Sequence, residues 1–277
     1  MKICRLSEPM QVAFQKSAGT YHATLDPGKD YVCSSTQLSN LLRDSEVVRS
    51  CIFKISDLLP RVVSFNVLAR RPGQQRLLLY NGSSGYGDQI MTWPVARALD
   101  RLGLEVSILV DPGNQSCWQN FPFVRATYSL PMPYEHFQTF DYHAIFDIVC
   151  NADEHPDQEH PTDRMLRRVG LDPRQVSPTD KVVEPQFTPA ETRLAMSAFP
   201  GKDLAMFQLA SAANGPRSIS PEGCASVLQH LAQAFPQWHW LALHDEFNQP
   251  GHAKAAKELA LDNVEAYTSP TLRGLWS

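Results

Sequence analysis

LLLYNGSSGYGDQIMTWPVARALDRLGLEVSILVD, from Leu77 to Asp111, decides the fold. The apolar run Arg76–Tyr80 reads as a buried strand and stops at three close glycines, Gly82, Gly85 and Gly87. The next element is a helix through Trp93–Gly103. Val95, Ala98, Leu99 and Leu102 recur within it at helical spacing, and Gly103 is placed to end it. Leu104–Val110 is a second apolar strand. Strand, helix and strand on short connections form a βαβ unit, which requires a parallel sheet.

Working outward, the same rhythm recurs. His143–Val149 is a further buried strand. Residues 151–201 are polar and punctuated by proline, with helices expected at 161–171 and 188–199. Leu204–Ala210 is a strand. Ser220 then caps a helix that has Pro221 at its first position and runs to about Ala234. Trp238–His244 and Asn263–Tyr267 are strands flanking a helix at 252–261, and a last helix begins near Ser269. Before Arg76 the texture differs. TYHATLDPGKDYVCSS, from Thr20 to Ser35, reads as two short strands around an Asp-Pro-Gly turn, followed by a short helix over 36–45. Arg70–Gln75 reads as a linker. The expected organisation is a small mixed or β-rich N-terminal region over 1–73, an α/β domain over 74–198 and a second α/β domain over 199–277.

Composition excludes several classes. The 277 residues carry 25 Lys+Arg against 29 Asp+Glu, intermixed, for a net charge of −4, which argues against a nucleic-acid binder with a broad basic face. No apolar run reaches the roughly 20 residues of a membrane helix, so any membrane contact is expected to be peripheral. The six cysteines show no CxxC spacing and read as reduced thiols of a cytoplasmic protein, with no zinc site. Asp153–His160 gathers two histidines and four carboxylates without a ligand spacing that shares one helix face, and reads as a solvated loop.

The glycine stretch admits three readings. A phosphate loop needs Gly-Lys-Ser/Thr, and Gly87 is followed by Asp88. A dinucleotide fingerprint begins at Gly85-Tyr86-Gly87, with Asp111 where an acidic ribose ligand sits. Ile90, however, occupies the third glycine position, and Asp88 sets negative charge beside a pyrophosphate. In the third reading Asp88 is either the cap of the following helix or a base that takes a proton from an attacking hydroxyl. The residues alone leave both roles open.

GYGDQIMTWPVARALDRLG resembles the N-terminal motif of glycosyltransferase family 9, the ADP-heptose:lipopolysaccharide heptosyltransferases, in the order Gly87-Asp88 and then Thr92-Trp93-Pro94. HPTDRMLRRVGLDP, from His160 to Pro173, is similar to the family's His-x-x-Asp helix. Phe207–Leu243 resembles its second-domain opening, and NVEAYTSPTLRGLW resembles the family's next strand and helix start. The resemblance runs from about Arg76 to Ser277. It implies a GT-B pair of Rossmann-like domains, the second incomplete, acting without a metal or other cofactor. Sugar passes with inversion from a nucleotide-diphosphate sugar, carrying heptose or a similar residue, to a glycan or lipid-linked glycan. In that scheme Asp88 is the general base, with Gly85, Gly87 and Thr92 on the acceptor side. Arg217 takes the place of a diphosphate-binding lysine, aided by Ser211 and Asn214, and Glu246 contacts the nucleotide. The family's later Asp-Ser/Thr-Gly-x-x-His loop has no counterpart before Ser277, so the sequence reads as a truncated relative. A catalytically inactive sugar-nucleotide or protein-binding remnant, and more remotely a nicotinamide-dependent oxidoreductase, are the rival readings.

Overall fold

The computed structural model describes residues 2–7, 9–16, 19–34, 52–57, 73, 75–82, 86–146, 159–208, 219–243 and 250–267. The chain divides into two compact units, Met1–Gln186 and Phe187–Ser277. The helix expected at 36–45 and the one near Ser269 lie outside the described residues.

The first unit opens with β1 (Lys2–Leu6), β2 (Met10–Lys16), β3 (Gly19–Leu25), β4 (Asp30–Cys33) and β5 (Ile52–Asp57). The two strands expected around the Asp-Pro-Gly turn are β3 and β4. They do not pair with each other: β3 pairs β2, and β4 pairs β1. Lys29 bonds Asp26 across the turn, and the Tyr31 hydroxyl accepts from the Asp26 amide, so the turn is fastened from both sides.

The βαβ unit is present as expected: β6 (Arg76–Asn81), α1 (Tyr86–Arg101) and β7 (Glu105–Val110), with β6 and β7 parallel. Gly103 ends the helix in the left-handed conformation, at φ 78°, and its amide returns to the Asp100 carbonyl at 2.7 Å. β8 (Ala126–Ser129), β9 (Met132–Pro133), the short α2 (Tyr134–Phe137) and β10 (Tyr142–Phe146) complete this half. The parallel sheet has the order β10-β6-β7-β8.

Such a sheet is apolar on both faces and must be covered on both. Leu77, Leu79 and Ile108 point to one face, and α1 packs against β6 and β7 with Trp93, Ala96 and Leu99 buried. On the opposite face, Leu78, Tyr80 and Leu109 form a core with Phe137 and Phe140, and with Val32 of β4 and Met132 of β9. β4 and β9 pair directly, Tyr31 opposite Pro133 and Val32 opposite Met132, so the antiparallel sheet β5-β1-β4-β9 is built into this core. The N-terminal region expected as an appendage therefore supplies part of the domain's interior.

α3 (Pro161–Arg168) and α4 (Pro178–Lys181) pack on α1. Arg97 donates to the carbonyls of Thr179 and Val182 at 3.2 and 3.1 Å, and Lys181 pairs with Asp163 at 2.8 Å. Arg101 bonds the Asp180 carboxyl and holds its pKa below the usual range.

The second unit contains α5 (Pro189–Ala198), β11 (Leu204–Gln208), α6 (Pro221–Ala234), β12 (His239–Leu243), α7 (Pro250–Glu258) and β13 (Val264–Tyr267). α5 thus falls in the second unit, although the sequence places the division after 198. Thr188 and Glu191 form a reciprocal capping box at the start of α5, and Ser220 caps α6 by accepting from the Gly223 amide at 3.1 Å. The strands form a parallel sheet β11-β12-β13. Cys224, Leu228 and Ala256 of the two later helices pack on Ala242, with Phe207, Trp240 and Val264 against them.

Val32→Ala removes two buried carbons from the seam between the sheets. It is expected to lower the unfolding free energy of the first unit by about 2–3 kcal/mol, transfer and cavity together. Urea unfolding followed by tryptophan fluorescence reads this loss.

Candidate functional site

The order β10-β6-β7-β8 reverses direction between β6 and β10. In open α/β sheets a crevice opens outside the carboxyl ends of the strands at such a point. Here the carboxyl end of β6 is Asn81, followed by Gly82, whose amide donates to the Phe146 carbonyl at the end of β10 at 2.8 Å. A Cβ on Gly82 would lie 3.3 Å from the Tyr80 ring and 3.4 Å from that carbonyl, so glycine lets the chain turn closely there.

The helix starts at Tyr86, two turns earlier than the apolar spacing alone indicates. Gly87 and Asp88 therefore belong to its first turn rather than to a loop. Asp88 is not the flanking cap residue. It lies inside the helix, half-buried, where the helix N-terminus favours a carboxylate. Gly87 is exposed and a Cβ there would meet nothing within 4 Å. Glycine costs a helix about 0.5–1 kcal/mol relative to alanine, and packing does not require it at this position. Its bare backbone leaves room for a ligand beside Asp88.

A buried polar lattice fixes the turn. The Asn81 amide donates to the Asp88 carbonyl at 3.0 Å and to Thr92 Oγ1 at 2.8 Å, and the Thr92 hydroxyl donates to the same carbonyl at 2.9 Å. Gln89 reaches back to the Asn81 carbonyl at 3.2 Å and accepts from the Trp118 indole at 3.0 Å. Asn81, Gln89 and Thr92 are all buried, the last two completely. Thr92, expected on an acceptor-side loop, is therefore a mid-helix residue that acts by holding the Asp88 turn. Pro94 is likewise interior and leaves the Ile90 carbonyl without its helical donor.

α3 crosses this half of α1. Thr162 donates to the Met91 carbonyl at 2.8 Å, and the Thr92 hydroxyl lies 3.6 Å from Met165 Sδ. His160 caps α3, accepting from the Thr162 amide. On the same helix, Nε and Nη1 of Arg164 are enclosed and hydrogen-bond to no group of the described protein. Nothing in the sequence marks this arginine apart from its neighbours Arg167 and Arg168, because enclosure is a tertiary property.

Asp111, the ribose ligand of the dinucleotide reading, is buried and accepts from the Tyr80 hydroxyl at 3.4 Å. Gly85 and the four donor-side residues, Ser211, Asn214, Arg217 and Glu246, lie outside the described residues. No group of histidine, cysteine and carboxylate side chains among the described residues is arranged to hold a metal, and no described helix is long and apolar enough to cross a membrane.

Neither the sequence profile of a known family nor the sequence of a curated protein matches the chain. Its backbone does match a solved structure, a glycosyl transferase family 9 protein from Veillonella parvula. The TM-score is 0.51 at 11% identity, over 70% of this chain and 68% of that one. The chain shares its fold with that glycosyl transferase family 9 protein. The ADP-heptose LPS heptosyltransferase II of E. coli aligns with TM-score 0.49 at 10% identity, over 72% of this chain and 70% of its own. The E. coli heptosyltransferase WaaC, solved with ADP, aligns with TM-score 0.44 at 14% identity, over 73% and 77%.

Thr92→Val keeps the shape of the side chain and removes the hydroxyl shared by Asn81 and the Asp88 carbonyl. Leaving the buried Asn81 amide one acceptor short should cost about 1–3 kcal/mol, measured by chemical denaturation.

Proposed function

We propose that the chain is a glycosyltransferase that moves a sugar from a nucleotide-diphosphate sugar to an acceptor hydroxyl, with Asp88 as general base. The observation that carries this reading is the pinned first turn of α1. It sets Asp88 in the helix turn that follows the carboxyl end of β6, next to a glycine backbone with open space over it, which supports the reading. A base held rigidly against a hydroxyl contributes roughly 10²–10⁴-fold to rate. It takes the proton as the hydroxyl oxygen attacks the anomeric carbon, and nucleoside diphosphate leaves from the opposite face with inversion. The fold shared with the Veillonella protein supports the reaction class.

The family resemblance assigns the donor to the second unit, with Arg217, Ser211 and Asn214 at the diphosphate and Glu246 at the nucleotide. The leaving diphosphate gains charge, and a cation near a helix start stabilises it. A heptose donor, a lipopolysaccharide-type or lipid-linked acceptor, and work on the cytoplasmic side of a membrane are the corresponding expectations for substrate and place.

Two variants test the reading. Asp88→Asn is expected to bind a nucleotide sugar as the parent does, by calorimetry, while the rate of nucleoside diphosphate release in the presence of acceptor falls at least about 100-fold. Equal turnover by the variant sinks the assignment of Asp88. Arg164→Met is expected to keep or raise thermal stability without changing turnover, because it removes enclosed, unbonded donors of a charged group away from Asp88.

A further inference from the structure

Cys4 and Cys33 stand apart from the site above. Cys4 is on β1 and Cys33 on β4; the pairing sets Lys2 opposite Cys33 and Cys4 opposite Tyr31. Both cysteines therefore point to one face of the antiparallel pair, one step apart on the diagonal. Their sulfurs are 3.3 Å apart, both thiols are free, and each residue is only 2% exposed. The neighbouring strands are fixed by a two-pronged Arg5–Asp30 ion pair on the adjacent register, at 2.7 Å for each bond.

We propose that Cys4 and Cys33 form a redox modification site, a dithiol that a peroxide converts to an intramolecular disulfide fastening β1 to β4. Closure needs the sulfurs to move from 3.3 Å to about 2.0 Å. Cys4 is the first sulfur to react: its hydrogen bond with Cys33 lowers its pKa, whereas the same bond and burial raise that of Cys33. The Cys4 thiolate attacks one oxygen of hydrogen peroxide. The O–O bond breaks, hydroxide leaves, and Cys4 becomes a sulfenic acid. The Cys33 sulfur then attacks the Cys4 sulfur, the S–OH bond breaks, and its oxygen leaves as water with the Cys33 proton. In total two thiols and one peroxide give one disulfide and two waters, two electrons passing from sulfur to oxygen.

Position gives the bond its consequence. β4 lies between β1 and β9 in its sheet, and Val32, beside Cys33, belongs to the core under the parallel sheet. A bond from Cys33 to Cys4 ties β1 to the strand already anchored in the domain. It closes a loop spanning a sequence separation of 29 residues, which contains the β2–β3 hairpin. Such a loop restricts the unfolded chain much more than the folded one.

The test uses the whole chain in its native state, treated with hydrogen peroxide, alkylated, and digested with trypsin without reduction. The expected product is peptide Ile3–Arg5 linked to peptide Asp30–Arg43, lighter by two hydrogens than the sum of the two. It should come with a rise of about 5–10 °C in melting temperature that dithiothreitol reverses. Cys33→Ser should instead accumulate a sulfenic acid on Cys4 that dimedone traps. If the two peptides are recovered alkylated and unlinked, under peroxide that oxidises the denatured chain, the proposal is overturned. A linked product with an unchanged melting temperature keeps the chemistry and overturns the fastening.

Discussion

A parallel sheet presents two apolar faces to be kept from water, and in this protein the second face is covered by strands. α1 takes one side of β6 and β7 in the manner of any βαβ crossover. On the other side, Val32 and Met132 come from a two-residue pairing between β4 and β9, backed by Phe137 and Phe140. The first unit is therefore a parallel sheet sandwiched between a helical layer and an antiparallel sheet. Everything near Asp88 depends on it. Leu78 and Tyr80 can only be buried if the N-terminal strands are in place, and the strand carrying them ends at Asn81.

From that strand end hydrogen bonds reach the main-chain carbonyl of Asp88. Asn81, Gln89 and Thr92 hold the backbone of the first turn of α1, and Trp118 holds Gln89 from the next loop. Buried polar groups of this kind are stabilising only when all are satisfied, which restricts the arrangements the turn can adopt. The backbone of Asp88 is thus fixed within that turn. α3 braces the same stretch of helix through Met91 and Thr92.

Much of this is legible in the sequence. The βαβ unit, the later strands and helices and the Ser220 cap arise from periodicity and capping chemistry, which are local. Asp88 stands out because a carboxylate among glycines is poor company for a phosphate. The integration of β4 is not legible, since Asp30–Cys33 alternates like any short strand and nothing local names Met132 as its partner. The start of α1 is hidden for a related reason: Gly87 argues against a helix by propensity, but helical geometry there is set by Asn81 and Thr92 from either side. Arg164 is concealed among basic neighbours, and only enclosure distinguishes it.

The β4–β9 pairing also bears on how the protein emerges from the ribosome. Tyr31 and Pro133 are partners separated by about 100 residues, and at roughly 5–20 residues per second the outer edge of β4 waits between about 5 and 20 s for its neighbour. During that interval β1 and β4 can pair, but β4 has an open edge and Val32 has no core to enter. The nascent chain therefore presents an unfinished sheet until the middle of the domain has been made. Chaperone demand during synthesis should concentrate in that interval, long before the second unit appears.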